Sequence, residues 1–286
     1  MPGPAYILMA EWQGSSSSRA MQLVEGASAI REDLPSTTVE VPVPLGAGDA
    51  LGTPALRLSS VLRSRDAAAQ ALREIDAPPI TVGGDCASTF AGLAASIARH
   101  GADRLAVLWF DAHPDLHHPA TSPNGAISGM ALRHALGDGV EDLAFADPVR
   151  HELLTLIGTR AFDDEEVIEV ASRGITHIAV PTDSGHDTLA HAVGERLRST
   201  GATHVYVHID LDVLDPAEFA AVHAPEPFGL SLAQLTEAVR SAVATLPLAG
   251  ATISEFAPRD AEAAAADLPS VLRVLAALTS GGRQTA

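Results

Sequence analysis

Cysteine occurs once in 286 residues, at Cys86, so no disulfide can form within the chain and a reducing cytoplasm is the expected compartment. Lysine is absent, since all 18 basic residues are arginine, which excludes Schiff-base chemistry on a lysine. No run of 18 uncharged apolar residues occurs, although hydrophobic residues make up 47% of the chain and mean hydropathy is +0.17. A membrane-spanning helix is therefore not expected, nor is a secretory leader, because "MPGPAYILMAEWQGSSSS" meets Glu11 within its first dozen positions. Positive charge is scarce as well. Against 36 acidic residues the net charge is -18, and without a basic cluster neither nucleic acid nor an anionic membrane is an expected partner.

What is present is a recurrent short apolar run. "AYILMA" (5 to 10), "TTVEVPV" (37 to 43), "PPITVGG" (78 to 84), "RLAVLWFD" (104 to 111), "ELLTLIG" (152 to 158), "GITHIAV" (174 to 180), "HVYVHID" (204 to 210) and "GATISEF" (250 to 256) read as strands. Between them lie helix-length segments such as "ALRLSSVLRSRDAAAQALREI", "CASTFAGLAASIARH" and "SLAQLTEAVRSAVATL", with apolar residues three and four apart. Ser231 is the expected N-cap of the last. Eight strands alternating with helices predict an α/β fold, with a mostly parallel sheet covered on both faces. No linker, low-complexity block or repeat divides the chain, so residues 1 to 286 are expected to form one domain.

Ligands of an open parallel sheet sit beyond the C-terminal ends of its strands, which makes the polar residues at those ends informative. "WFDAHPDLHH" supplies Asp111, His113 and Asp115; "HIDLDVLDP" supplies Asp210, Asp212 and Asp215; "GGDC" and "SEF" end two further strands, the latter with Glu255. Alternation along a strand lets Asp111, His113 and Asp115 face one point, as it does Asp210 and Asp212. Carboxylates that close do not all ionise without a compensating cation. Hard oxygens with one imidazole suit Mn²⁺, and Mg²⁺ or Zn²⁺ less well. An isolated D-x-D is ordinary turn chemistry, and a lone histidine is usually structural. Two such clusters, each closing an apolar strand, favour a bridged divalent pair.

At these residues the sequence resembles the ureohydrolase family of arginases, agmatinases and formimidoylglutamases. The matching blocks are "GGDCAS", "WFDAHPDLH", "IGTRAFDDEE", "HIDLDVLDP" with "APEPFGLS", and "SEFAPRD", while "EGASAIRE" resembles an early family helix. The resemblance implies a three-layer α/β/α fold, two Mn²⁺ ions and a small guanidino substrate. It assigns Asp111 and Asp210 as bridging ligands, His113 and Asp212 to one ion, and Asp115 with the residue at Cys86 to the other. Glu255 corresponds to the carboxylate that pairs with the guanidinium, and Asp163 to the one that reads the α-amino group. The implied reaction is hydrolysis of a guanidino C–N bond by hydroxide generated at the metal pair, with Asp212 carrying a proton to the leaving amine. A homo-oligomer is compatible with the family.

The sequence departs from the family pattern in places. The family usually has histidine where this chain has Cys86, and a thiolate is a softer ligand than imidazole while a neutral thiol hardly binds. Cys86 could instead fill core space or act as a nucleophile, but no partner for a nucleophile is evident. We read it as a site residue that weakens one metal position. Ser128 stands where arginases place a proton-shuttling histidine, and Ser cannot act as an acid near pH 7; His117, His118, His223 or Asp212 are the candidates to take over. His117 lies where arginases bind the substrate carboxylate with Asn, Asn124 is a further substrate-binding candidate, and Glu226 is placed to bind a polar group added to the guanidine. Cysteine in an arginase-like setting most resembles the branch of the family that cleaves Nω-hydroxy-L-arginine to hydroxyurea and L-ornithine in D-cycloserine biosynthesis. The alternatives are arginase or another ureohydrolase (agmatinase, guanidinobutyrase, formimidoylglutamase), and a non-catalytic family member acting as a binding module.

Overall fold

The computed structural model describes residues 3–181 and 186–283, so the ends of the expected 1–286 unit and residues 182–185 lie outside it. Its strands are β1 (Ala5–Leu8), β2 (Val39–Glu40), β3 (Pro79–Val82), β4 (Leu105–Phe110), β5 (Leu154–Ile157), β6 (Thr176–Ile178), β7 (His204–Asp210) and β8 (Leu248–Ser254). All eight expected runs form strands. They build one sheet in the order β2-β1-β3-β8-β7-β4-β5-β6, and every pairing is parallel. The expectation of a mostly parallel sheet is therefore met in full. β2 shrinks to two residues at the sheet edge, where Pro42 and Pro44 follow it and cannot donate to a ladder.

The helices are α1 (Gln22–Arg31), α2 (Leu58–Leu72), α3 (Thr89–His100), α4 (Ala131–Ala135), α5 (Asp164–Arg173), α6 (His186–Thr200), α7 (Leu232–Thr245) and α8 (Ala261–Leu278). α7 starts as expected at Ser231. Its hydroxyl accepts from Gln234 N at 3.1 Å while Ser231 N donates to Gln234 Oε1 at 2.9 Å, a reciprocal cap that satisfies two otherwise orphaned donors.

Strand alternation decides which core each side chain joins. Ala106, Leu108 and Phe110 of β4 pack with Val205, Val207 and Ile209 of β7 beneath α1, α6, α7 and α8. Leu105, Val107 and Trp109 of β4 face the opposite layer with Tyr206, beneath α2, α3 and α4. Both faces of the sheet are thus covered, giving three α/β/α layers. Residues such as Trp109 and Phe110 are fully buried, each stabilising the fold by roughly 1.5–3 kcal/mol, and this rigid apolar body holds the strand ends.

Candidate metal centre

Four neighbouring strands, β3, β8, β7 and β4, deliver the site from their C-terminal ends. Asp111 directly follows β4. Its Oδ1 accepts from His113 N at 2.7 Å and its Oδ2 from the indole of Trp109 at 3.0 Å. Asp210 closes β7, and its Oδ1 accepts from Asp212 N at 2.8 Å. Both D-x-[HD] motifs are therefore turns as well as clusters. This corrects the expected route to convergence: β4 ends at Phe110, so strand alternation does not aim His113 and Asp115. The Asp111 turn aims His113, and Asp115 is turned inward by a left-handed backbone, φ 52°.

Glu255, after β8, has φ 64°, and its amide donates to Gly84 O at 2.9 Å. Non-glycine residues in this region cost roughly 1–2 kcal/mol, so the fold holds two site carboxylates in strained positions. Cys86 opens a 3-10 turn after β3. The preceding Asp85 caps that turn through Ala87 N at 2.9 Å and also accepts from Gly14 N and Ser15 N at 2.8 and 3.1 Å. Gly84 lets the chain pass there, since a Cβ on it would lie 2.8 Å from Met9 O.

The expected ligands come together. Potential ligand atoms of Cys86, Asp111, Asp115 and His208 lie within 4.8 Å of one another, as do those of Asp111, His113 and Asp212, and those of Cys86, Asp210 and Glu255. Cys86, Asp111, Asp115, Asp210, Asp212 and Glu255 are all buried. Burial and mutual repulsion push Asp111 up to about 7 and raise Asp115 and Asp210 well above the carboxylate range. Burial also raises Glu255, against the pull of His223. Asp212 is the exception. Burial would raise it too, but His113, whose Nδ1 is 3.0 Å away, outweighs this and holds it below its usual value. Burial, followed by Asp210, Asp115, Asp111 and Glu255, raises the Cys86 thiol, which keeps its proton and donates to Asp210 Oδ2 at 3.0 Å.

Above this floor opens a cleft of about 560 Å³. All expected substrate-binding residues line it: Asp163, His117, Asn124 and Glu226. His117 Nε2 lies 3.2 Å from Asp163 Oδ2. Glu226 Oε1 is 4.0 Å from His113 Nε2. Asn124 spends its carbonyl on Ala126 N at 2.9 Å, which leaves the amide nitrogen as its donor. Of the histidines considered as replacements for an acid at Ser128, His117 and His223 line the cleft and His223 Nδ1 is 3.4 Å from Glu255 Oε2. His118 does not, since its Nε2 faces Asp138 at 3.7 Å.

Several contributors escaped the sequence reading. Ser15, Ser16 and Ser17 line the cleft wall, held by Asp85 from seventy residues away in sequence. Arg160, in the "GTR" after β5, donates to carbonyls of Gly158, Val213, Asp212, Leu214, Glu226 and Pro227, fixing the loop that carries Glu226. Glu166 accepts from Leu116 N and Asp163 N, both at 3.1 Å. His208 was visible in the motif "HIDLD", where period-two alternation puts it on the face of Asp210.

Comparison with known proteins places this arrangement. The sequence model of the arginase family matches residues 3–275. The chain belongs to the arginase family. It is 32% identical over 182 residues to an arginase of Bacillus subtilis, an alignment spanning 61% of this chain but only 60% of that relative. Among solved structures, the arginase-family fold superposes on Entamoeba histolytica arginase in complex with L-ornithine with a TM-score of 0.83 at 22% identity, covering 96% of this chain and 98% of that one. It superposes on formimidoylglutamase from Bacillus subtilis with a TM-score of 0.75 at 19% identity, covering 99% and 88%. At those identities the likeness is one of fold.

The residues of this arginase-family chain fit a divalent pair on their own chemistry. Hard carboxylate oxygens with an imidazole are the donor set of such ions. The raised carboxyl pKa values mark negative charge that lacks a counterion, and Asp115 Oδ2 is buried with no hydrogen-bond partner.

Proposed function

We propose that the protein is a metal-dependent amidinohydrolase that cleaves the guanidino C–N bond of Nω-hydroxy-L-arginine to hydroxyurea and L-ornithine, a step suited to antibiotic biosynthesis. The observation that carries the reading is the placement of Asp111, Asp210, His113, Asp212, Asp115 and Cys86 beneath Glu255 at the floor of one cleft whose rim holds Asp163 and His117. Two divalent cations, Mn²⁺ by preference, would be held by Asp111 and Asp210 in common, by His113 and Asp212 for one, and by Asp115 with weaker help from Cys86 for the other. Bound there, they supply the Lewis acidity that activates water near neutral pH.

The chain's own residues do the rest. Glu255 receives the guanidine N–H groups in a charge-assisted contact and fixes the carbon to be attacked. Asp212 accepts a proton and hands it to the leaving amine. Asp163, supported by His117 and Glu166, binds the α-amino group, and the Asn124 amide reaches the substrate carboxylate. Glu226 faces the place where an N-hydroxyl extends from the guanidine. A protonated thiol at a ligand position and Ser128 in the cleft wall make a weak centre with little acid assistance. Such a centre suits an N-hydroxyguanidine, which is less basic than a guanidine and more often neutral and open to attack.

Arginine itself is the second reading, favoured by the match to arginases. Incubating the protein with Mn²⁺ and each substrate, and separating urea from hydroxyurea, decides between them. Hydroxyurea release is expected to exceed urea release in kcat/KM; equal or faster urea release would overturn the substrate.

A further inference from the structure

His208 is an imidazole beneath the cluster to which the proposed reaction gives no task. It lies in β7, in register with Trp109 of β4 and Thr252 of β8, and is fully buried. Its ring stacks on Trp109 with centroids 3.6 Å apart and planes 11° from parallel. Neither ring nitrogen has a hydrogen-bond partner, although a neutral imidazole carries one donor and one acceptor and buried polar atoms are almost always paired.

The neighbours in its layer are already engaged. The Trp109 indole donates to Asp111, and Thr252 is shared between Tyr206 and Thr89 at 2.6 and 3.2 Å. What His208 does face is the inner half of the cluster: its nitrogen lies within 4.8 Å of the Cys86 sulfur and of carboxylate oxygens of Asp111 and Asp115.

We propose that His208 is a metal ligand, giving a ring nitrogen to the divalent cation held by Asp111 and Asp115, at the position that the protonated Cys86 thiol serves poorly. The imidazole missing at residue 86 is thus supplied from below, by the strand that also carries Asp210. A nitrogen donor and two carboxylates make an acceptable inner set for Mn²⁺, Co²⁺ or Zn²⁺. The inference rests on the metal-dependent reading above.

The test uses the full chain stripped with chelator and reloaded with Mn²⁺ or Co²⁺ alone, comparing wild type with His208→Phe, which keeps an aromatic ring against Trp109. Wild type is expected to bind two ions, and X-ray absorption to find two imidazoles, His113 and His208, shared between them. His208→Phe is expected to weaken one ion by more than about tenfold, leaving the ion at His113 and Asp212 in place. Wild-type affinity at both positions in His208→Phe, or a single imidazole in the wild-type spectrum, would overturn the assignment and leave the buried ring to a water. The absorption measurement needs no variant, so it decides the matter even where His208→Phe does not fold. Failure of wild type to bind either metal would sink the metal-dependent function together with this inference, whereas binding with only His113 coordinated sinks the inference alone.

Discussion

The thiol of Cys86 donates to Asp210 Oδ2 at 3.0 Å, so the residue at the expected ligand position is a hydrogen-bond donor in the metal-free protein. Binding a cation through sulfur requires that proton to leave a buried, negatively charged pocket. Cys86→His removes the requirement. It is expected to raise Mn²⁺ affinity by about tenfold or more and to increase urea release from arginine relative to hydroxyurea release from hydroxyarginine. Titration with Mn²⁺ and product analysis check both; unchanged affinity would place residue 86 outside the ligand shell.

Asp111 groups with Asp115 on one side and with His113 and Asp212 on the other, and Asp210, which groups with Cys86 and Glu255, is the second bridge of the proposed centre, while Asp115 and His113 each belong to one half. Asp111→Asn keeps the volume and the acceptor for Trp109 but removes the charge. We expect it, and Asp210→Asn, to lose both ions together, whereas Asp115→Asn and His113→Ala lose one each. Metal content of dialysed protein measures this directly, and retention of one tight ion by Asp111→Asn would contradict the bridging role.

Much of this was legible in the sequence because strands and their ends carry strong local signals. "RLAVLWFD" and "HVYVHID" announce buried strands through apolar content and announce the site through the polar residue at which the apolar run stops. Ser231 announced its helix by capping chemistry. What the sequence did not reveal depends on contacts between distant segments. Asp85 reads as one more polar residue in a turn, yet it ties the Ser15 to Ser17 wall to the Cys86 turn. Arg160 reads as a surface arginine, yet its hydrogen bonds run to carbonyls 52 to 67 residues away as well as to nearby Gly158. His118 and His117 are adjacent and chemically identical, and only the fold of their loop sends one into the cleft and the other to Asp138. The left-handed backbones of Asp115 and Glu255 carry no signature in residue type at all.

The same carboxylates set the pH response of the metal-free protein. Burial, followed by repulsion from neighbouring acids, holds Asp85 and Asp111 near 7, against 3.8 for an ordinary Asp. Between those limits the folded state binds protons that the unfolded state has released. Stability is therefore present on the acid side and is lost as pH rises through about 7, with a slope of about 1.4 kcal/mol per pH unit for each proton that differs. Chelated protein is expected to melt at lower temperature at pH 8 than at pH 6, with added Mn²⁺ giving its largest increase at pH 8. Calorimetry in buffers of different ionisation enthalpy should show proton release on metal binding. A melting temperature that is flat or rises from pH 6 to 8 without metal would contradict this.

Asp163 stands at the N-terminus of α5 and faces His117 at 3.2 Å, so its charge and its place in the helix start must be separated. Asp163→Asn keeps a capping side chain and removes the charge. It is expected to raise KM for arginine and hydroxyarginine by about tenfold, a charged hydrogen bond contributing roughly 1.5–3 kcal/mol, while leaving turnover of deamino-arginine, which keeps the carboxylate and the guanidine but has no α-amino group for Asp163 to bind, nearly unchanged. Equal loss on both substrate types would make the residue structural.

His134 offers a stability test remote from the catalytic floor. The ring is buried between α4 and the following loop, with Nδ1 donating to Met130 O at 2.7 Å and Nε2 accepting from Val140 N at 3.1 Å. The second bond requires the neutral form, because a proton on Nε2 would point at the Val140 N–H. Burial accordingly lowers the pKa from 6.5 to about 4. Between those values the unfolded chain takes up a proton that the folded chain refuses, so this residue's contribution falls as pH drops from 6.5 toward 4, by up to about 1.4 kcal/mol per pH unit. His134→Phe preserves a ring against Phe90, whose centroid is 5.8 Å away, but strands the Val140 N–H at roughly 1–3 kcal/mol. Urea unfolding of matched metal-free samples should find the variant clearly less stable than wild type at pH 7.5. The gap should narrow at pH 5, because only the wild type pays for refusing the proton. A gap of constant size between the two pH values would mean that His134 accepts the proton in the fold and that its hydrogen bond from Val140 N does not hold it neutral.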